Sequence, residues 1–259
     1  MLALIAGTGA LPAAILQGRN GVYVCAMVGF VPEVPVDLTF RIEHLGSVLA
    51  HLKGQGISEV CFAGAVKRPR IDPAAIDTAT LPLVPVVQAA IAAGDDGALR
   101  AIIGIFEDAG FQVRAAHELA RELLPVAGVP TRRKPDADMM AEAVLGDRVL
   151  LKLGALDRGQ ACVISGDALL AEEGPEGTDA MIAGVKATGG VLFKGPKPNQ
   201  DRRADLPVIG VGTAQGVIAA GLDGIVIEAG GVIVLDLPEV VEILDGANKV
   251  LWVRPRTEV

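Results

Sequence analysis

The chain has 259 residues, enough for one large domain or two of ordinary size with a real core. Hydrophobic residues make up 51% and aromatic residues only 3%, which excludes a disordered chain and predicts a core of Ala, Val, Ile and Leu. A formal net charge of −8 argues against nucleic-acid binding, so an anionic ligand would have to be held by local cations.

No uninterrupted apolar run reaches the roughly 18 to 20 residues that a membrane helix needs, and the first residues lack the basic flank of a signal peptide. A soluble, cytoplasmic protein is expected. Cys25, Cys61 and Cys162 are scattered through apolar runs without Cys-x-x-Cys spacing, which predicts structural thiols.

Residues 2–6 read as a short strand, followed by Gly7-Thr8-Gly9-Ala10-Leu11-Pro12 and a helix opening at Ala13. Proline favours the first helical turn, and glycines let a backbone approach a ligand closely. Strand, glycine turn and helix N-terminus therefore offer N–H groups to a nucleotide or phosphate, with a simple tight turn as the competing reading. The dinucleotide fingerprint is incomplete. Pro12 stands where its third glycine should fall, and the second strand, 22–28, ends without the acidic residue that grips a ribose, so NAD binding is not expected.

A helix over 45–53 and a strand within 56–64 follow, running into the basic Lys67-Arg68-Pro69-Arg70. Helices 84–93 and 98–109 flank Gly94-Asp95-Asp96-Gly97, whose carboxylates suit helix caps, and strand 111–115 completes a pattern of alternating strands and helices. Such alternation predicts a Rossmann-like domain with a mainly parallel sheet over residues 1–123. Residues 124–137, rich in proline and basic side chains, read as a linker. Beyond it the pattern restarts as a mixed α/β domain over 138–259: helix 138–153, strand 161–165, helix 181–187, strand 190–194, helix 214–220, strands 224–228 and 231–235, helix 237–244 and strand 249–253.

Two stretches of this second domain carry chemistry. The first runs from Lys194 to Pro207. Its three prolines forbid a regular helix or interior strand, while Lys194, Lys197, Arg202 and Arg203 alternate with Asp201 and Asp205. A stiff loop of cations and carboxylates suits a phosphate ester, although charge clusters also form ordinary solvated loops. The second is Glu172-Glu173-Gly174-Pro175-Glu176-Gly177-Thr178-Asp179-Ala180-Met181, where Thr178 or Asp179 either caps a helix or helps to hold Mg²⁺. His44, His51 and His117 lack paired spacing, and Ser165 lacks a Gly-x-Ser-x-Gly elbow, so zinc-peptidase and serine-hydrolase chemistry are not expected.

Four motifs occur in order: Ala6-Gly7-x-Gly9-x-Leu11-Pro12, Glu176-Gly177-Thr178-Asp179-Ala180-Met181, Lys197-Pro198-x-Gln200-Asp201-x-Arg203-x-Asp205-Leu206-Pro207 and Gly224-Ile225-x-x-Glu228-Ala229-Gly230. Together they resemble the UDP-2,3-diacylglucosamine pyrophosphatases of the LpxI type, from lipid A biosynthesis. That resemblance implies two domains with a lipid-linked UDP-sugar held between them, and Mg²⁺-dependent hydrolysis to UMP and 2,3-diacylglucosamine 1-phosphate. It implies Asp205 as the essential carboxylate, and the cations Lys194 and Lys197 of the same loop are expected to complete the catalytic set by stabilising charge on the pyrophosphate oxygens. Gly7, Gly9, Leu11, Pro12, Gly177, Thr178, Gln200 and Arg203 would contact substrate, and Asp179 and Glu228 would join Asp205 as metal ligands. Peripheral contact with the inner membrane is a further expectation, and a non-enzymatic nucleotide- or lipid-binding carrier is the rival function.

Overall fold

The computed structural model describes residues 1–67, 69–92, 94–156, 158–198 and 200–256, without the side chains of 90–96. Arg68, Asn199 and the side chains of Asp95 and Asp96 thus lie outside the described residues. The chain forms two compact units, Met1–Arg121 with Asp201–Ala204, and Glu122–Gln200 with Asp205–Val259.

In the first unit, apolar runs become β1 (Leu2–Ala6), β2 (Tyr23–Met27), β3 (Leu38–Phe40), β4 (Glu59–Ala63) and β5 (Gln112–Arg114). Among the described residues they make one five-stranded sheet, ordered β3-β2-β1-β4-β5, in which every pairing is parallel. Helices α1 (Leu11–Leu16), α2 (Leu45–Gly54), α3 (Val84–Ala92), α4 (Gly94–Asp108) and α5 (Ala116–Leu119) lie between the strands in sequence. Ala3, Leu4, Val60 and Cys61 are fully buried, as expected of a parallel sheet. The strand order reverses between β1 and β4, where open sheets of this kind leave a crevice at their carboxyl edge.

Two details depart from the sequence reading. Strand β3 was not expected, because it is three residues long and follows Pro32 and Pro35; the Asp37 carboxylate accepts the Val24 N–H at 2.8 Å and pins it beside β2. Helix α4 begins at Gly94 rather than at 98, so Gly94-Asp95-Asp96-Gly97 opens that helix instead of separating two.

The second unit holds α6 (Ala137–Ala155), β6 (Ala161–Ser165), β7 (Ala168–Glu172), α7 (Thr178–Ala183), β8 (Val191–Lys194), β9 (Val208–Ile209), α8 (Val211–Ala219), β10 (Gly224–Glu228), β11 (Ile233–Val234), α9 (Leu237–Gly246) and β12 (Val250–Arg254). Its main sheet, among the described residues, runs β12-β10-β8-β6-β7. Strands β12, β10 and β8 are parallel, while β6 and β7 run antiparallel to their neighbours, so the expected mixed sheet is found.

Alternation along the strands builds two apolar layers. Leu192, Ile225, Ile227 and Leu251 pack with Val217 of α8 and with Val240 and Leu244 of α9. Phe193, Val226 and Val250 pack with Leu150 and Leu153 of α6, and a side chain at Gly146 would collide with the Phe193 ring. Strand β7 escaped the sequence reading because Ala-Leu-Leu-Ala-Glu has no alternation and lies exposed at a sheet edge. Residues 124–137, read as a linker, run along β12: Gly128 exchanges backbone bonds with Val253 at 2.8 and 2.9 Å, and Thr131 accepts the Leu251 N–H.

Among the described residues no helix is long and apolar enough to cross a membrane. All three cysteines are free and buried, and burial pushes their thiols up to about 12, which leaves them unreactive near neutral pH.

Candidate functional site

The parallel strands β8, β10 and β12 end together, and their last residues are Lys194, Glu228 and Arg254. All three are more than nine-tenths buried, which is rare for charged groups unless they are paired or hydrogen-bonded. The Lys194 ammonium donates to Thr178 Oγ1 at 2.6 Å and to the Val208 carbonyl at 3.0 Å. The Thr178 hydroxyl donates in turn to the Glu173 carboxylate, which also accepts the Gln160 N–H at 2.5 Å. Burial pulls the Lys194 pKa below the ordinary lysine value, against the opposing pull of Glu173 and Asp179.

Thr178 starts α7, whose cap is Gly177 at φ 88°, a backbone angle that favours glycine. The acidic motif and the root of the basic loop, 16 residues apart, thereby meet side chain to side chain. Asp179 is exposed one residue further on.

Beyond Lys194 the loop is tied by one glutamine. Gln200, 9% exposed, accepts the Lys197 N–H on Oε1 at 2.9 Å. Its Nε2 donates to the Asp205 carbonyl and, at 2.5 Å, to Asp205 Oδ2. Reversing the amide would set acceptor against acceptor, so these bonds fix its orientation. Gln200 therefore ties the Lys197 backbone to the Asp205 carboxylate.

Arg203 is engaged by two carboxylates. Within the first unit its guanidinium grips both oxygens of Asp201, at 2.8 and 3.0 Å, and meets Glu107 at 2.5 Å. Asp201, and then Glu107, raise its pKa further, so the charge assigned to substrate is already balanced by two carboxylates.

The glycine turn of the first unit lies at the reversal in strand order. Gly7 donates to the Ala63 carbonyl at 2.7 Å, and Thr8 and Ala65 exchange backbone bonds at 3.0 and 2.9 Å. A Cβ at Gly7 would come within 2.8 Å of the Gly64 carbonyl oxygen, so Gly7 is spent on close packing of the turns after β1 and β4. Gly9, at φ 91°, has open space where a Cβ would point and remains suited to a ligand. Pro12 is buried in the first turn of α1, with Leu11 half-buried beside it.

Among the described residues no three His, Cys, Asp or Glu side chains form a group that could hold a metal, so Asp205, Asp179 and Glu228 do not make a joint cage. Glu228 is ion-paired with Arg256 at 2.8 Å. Mg²⁺ commonly takes one or two carboxylates and fills its shell with water and substrate phosphates, so it does not require a cage of three. Arg256 was not anticipated, because an arginine in a polar tail carries no sequence signal.

The family model for the LpxI N-terminal domain matches residues 1–123, and that for the LpxI C-terminal domain matches residues 126–252. The chain belongs to the LpxI family. Among its relatives is the UDP-2,3-diacylglucosamine pyrophosphatase LpxI of Caulobacter vibrioides, 34% identical over 262 residues that cover 94% of each chain. As an LpxI-family member, this chain carries each residue discussed above, except Arg254 and Arg256, within the span of one of the two models.

Proposed function

We propose that this chain is a hydrolase that cleaves the pyrophosphate of UDP-2,3-diacylglucosamine, releasing UMP and 2,3-diacylglucosamine 1-phosphate for lipid A biosynthesis. The observation that carries the reading is end-to-end similarity to a relative of that name, at 34% identity over 94% of the chain. The loop geometry supports it independently. Gln200 holds the Asp205 carboxylate by a hydrogen bond and accepts the backbone N–H of Lys197, so both residues sit on one tied loop.

In this reading the Asp205 carboxylate orients the attacking water and draws its proton as the new P–O bond forms and the bridging P–O bond breaks. Lys197 sets positive charge against the phosphate oxygens as negative charge gathers on the departing phosphate. Lys194 and Arg203, which have intramolecular partners, hold the loop rather than the substrate. Asp205 would hold Mg²⁺, which would supply neutralisation of the pyrophosphate charge.

The test is UMP release from UDP-2,3-diacylglucosamine, with Mg²⁺ and with chelator, by wild type and Asp205→Ala. Wild type should turn over only with metal, and the variant should lose at least about 10³-fold while still binding the nucleotide. A folded wild type that retains the lipid nucleotide and releases no UMP would make the protein a carrier or sensor.

A further inference from the structure

The root of the loop is held by a pair of charges, Glu228 and Arg256. Arg256 Nε lies 2.8 Å from Glu228 Oε2, and Arg256 Nη2 donates to the Pro196 carbonyl at 2.7 Å. That carbonyl belongs to the same peptide unit as the Lys197 N–H, which Gln200 accepts at 2.9 Å. The Gln200 amide then reaches Asp205 Oδ2 at 2.5 Å. One planar peptide is thus bound at both ends, by a guanidinium on its oxygen and by a glutamine on its nitrogen.

The surrounding backbone is built to keep this arrangement. A Cβ at Gly231 would sit 2.8 Å from Pro196 Cδ and 2.9 Å from Glu228 Oε1, and one at Gly195 would sit 3.4 Å from Arg256 Nη2. Glycine at both positions lets the loop root settle onto the pair. Glu228 is 8% exposed, and a buried carboxylate needs its cation.

We infer that Arg256, ion-paired with Glu228, is a positioning residue for the reaction, setting Lys197 and Asp205 through the Pro196–Lys197 peptide and Gln200. A polarised chain of hydrogen bonds strengthens along its length, so a charge at one end stiffens the far end. Glu228, one of the expected metal ligands, acts in this account on the loop through Arg256. Arginine suits the task because its rigid planar fork sets its N–H groups in fixed directions, whereas the ammonium of lysine is a flexible point charge.

The kinetic part of the test rests on the hydrolase reading, and the exchange part does not. Arg256→Ala should lower kcat by about 10- to 100-fold with KM nearly unchanged, since a misplaced group costs rate rather than binding. Arg256→Lys should recover part of the loss. Combining Arg256→Ala with Gln200→Ala should cost little more than either alone, because both act on one peptide. In amide hydrogen exchange on the whole protein without substrate, Lys197 should exchange about 10-fold faster in Arg256→Ala than in wild type.

Should Arg256→Ala unfold, Arg256→Gln combined with Glu228→Gln removes both charges together and carries the same expectations. A KM increase at constant kcat would make Arg256 a substrate contact and overturn the inference. Unchanged exchange at Lys197, or additive losses with Gln200→Ala, would overturn it too. If wild type shows no hydrolysis at all, the function reading fails and the exchange result still decides the positioning claim.

Discussion

Each unit buries a charged side chain in or beside a loop that leaves its sheet, and the two charges are treated in opposite ways. Glu43, 3% exposed, follows β3 and accepts from Arg41 at 3.0 and 3.2 Å and from the Asp72 N–H at 2.8 Å. Lys194, 7% exposed, ends β8 and donates to the neutral oxygens of Thr178 and Val208. Arg41 and the Asp72 amide hold the Glu43 carboxyl down to about 2, favouring its charged form, whereas burial lowers the Lys194 pKa and disfavours its charged form. A matched charge of the first kind secures a fold. An imperfectly matched one costs stability, and its retention in a motif-bearing loop is what a working site looks like. Substitutions around the first sheet should therefore be read mainly in stability, and those around Lys194 mainly in turnover.

The largest effect tests the first half of that contrast. Gly64, at φ 92°, faces Gly7, and a Cβ there would meet Gly7 carbon and Thr8 oxygen at 2.8 Å. Both neighbours are backbone and cannot swing away. Gly64→Ala should cost about 2–5 kcal/mol in urea unfolding, combining overpacking with left-handed strain. Gly9→Ala shares the positive φ, with open space beside it, and should cost only about 1 kcal/mol. Equal costs would mean that the close approach of the two turns carries no energy.

Lys194→Met tests the second half. Turnover should fall about 10- to 100-fold through misplacement of the loop, while stability at neutral pH changes by less than about 1 kcal/mol. The pH dependence has a definite sign. Because the folded pKa lies below that of the unfolded chain, about 10.4, the unfolded chain binds more protons between the two values. The stability owed to Lys194 therefore rises with pH across that window and is complete only above it. Stability relative to Lys194→Met should shift in favour of wild type as the solution becomes more alkaline. A constant difference would show that burial does not strain this ammonium.

Much of this was legible in the chain, and the part that was not has a common cause. Strands β1, β4, β8 and β10 announce themselves as apolar runs, and the Lys194–Pro207 loop stands out because prolines and charges seldom alternate so densely. The pairing of the acidic motif with the basic loop followed only from resemblance; the contact itself, Lys194 on Thr178, depends on how β8 lies in the sheet. The close approach of Gly7 to the turn after β4 leaves no mark in the local sequence. The Arg203–Glu107 pair is hidden because its members lie 96 residues apart. Arg256 is hidden for the same reason, at 60 residues from Pro196.

The smallest effect returns to Glu43 and separates charge from shape. Glu43→Gln keeps the size of the side chain and an oxygen for the Asp72 N–H, and loses the charge that faces Arg41. Because Arg41 is 45% exposed, solvent screens the pair, and the loss should be only about 1 kcal/mol at neutral pH. The folded pKa, about 2, lies below the ordinary 4.5, so the contribution of the charge is fully present above 4.5 and is lost as pH falls toward 2. In urea unfolding from pH 6 down to pH 3, the deficit of Glu43→Gln should be constant at first and begin to shrink below about pH 4.5. A deficit that stays fixed through that range would assign the effect to hydrogen-bond geometry, and Glu43 would no longer be the matched charge that sets it apart from Lys194.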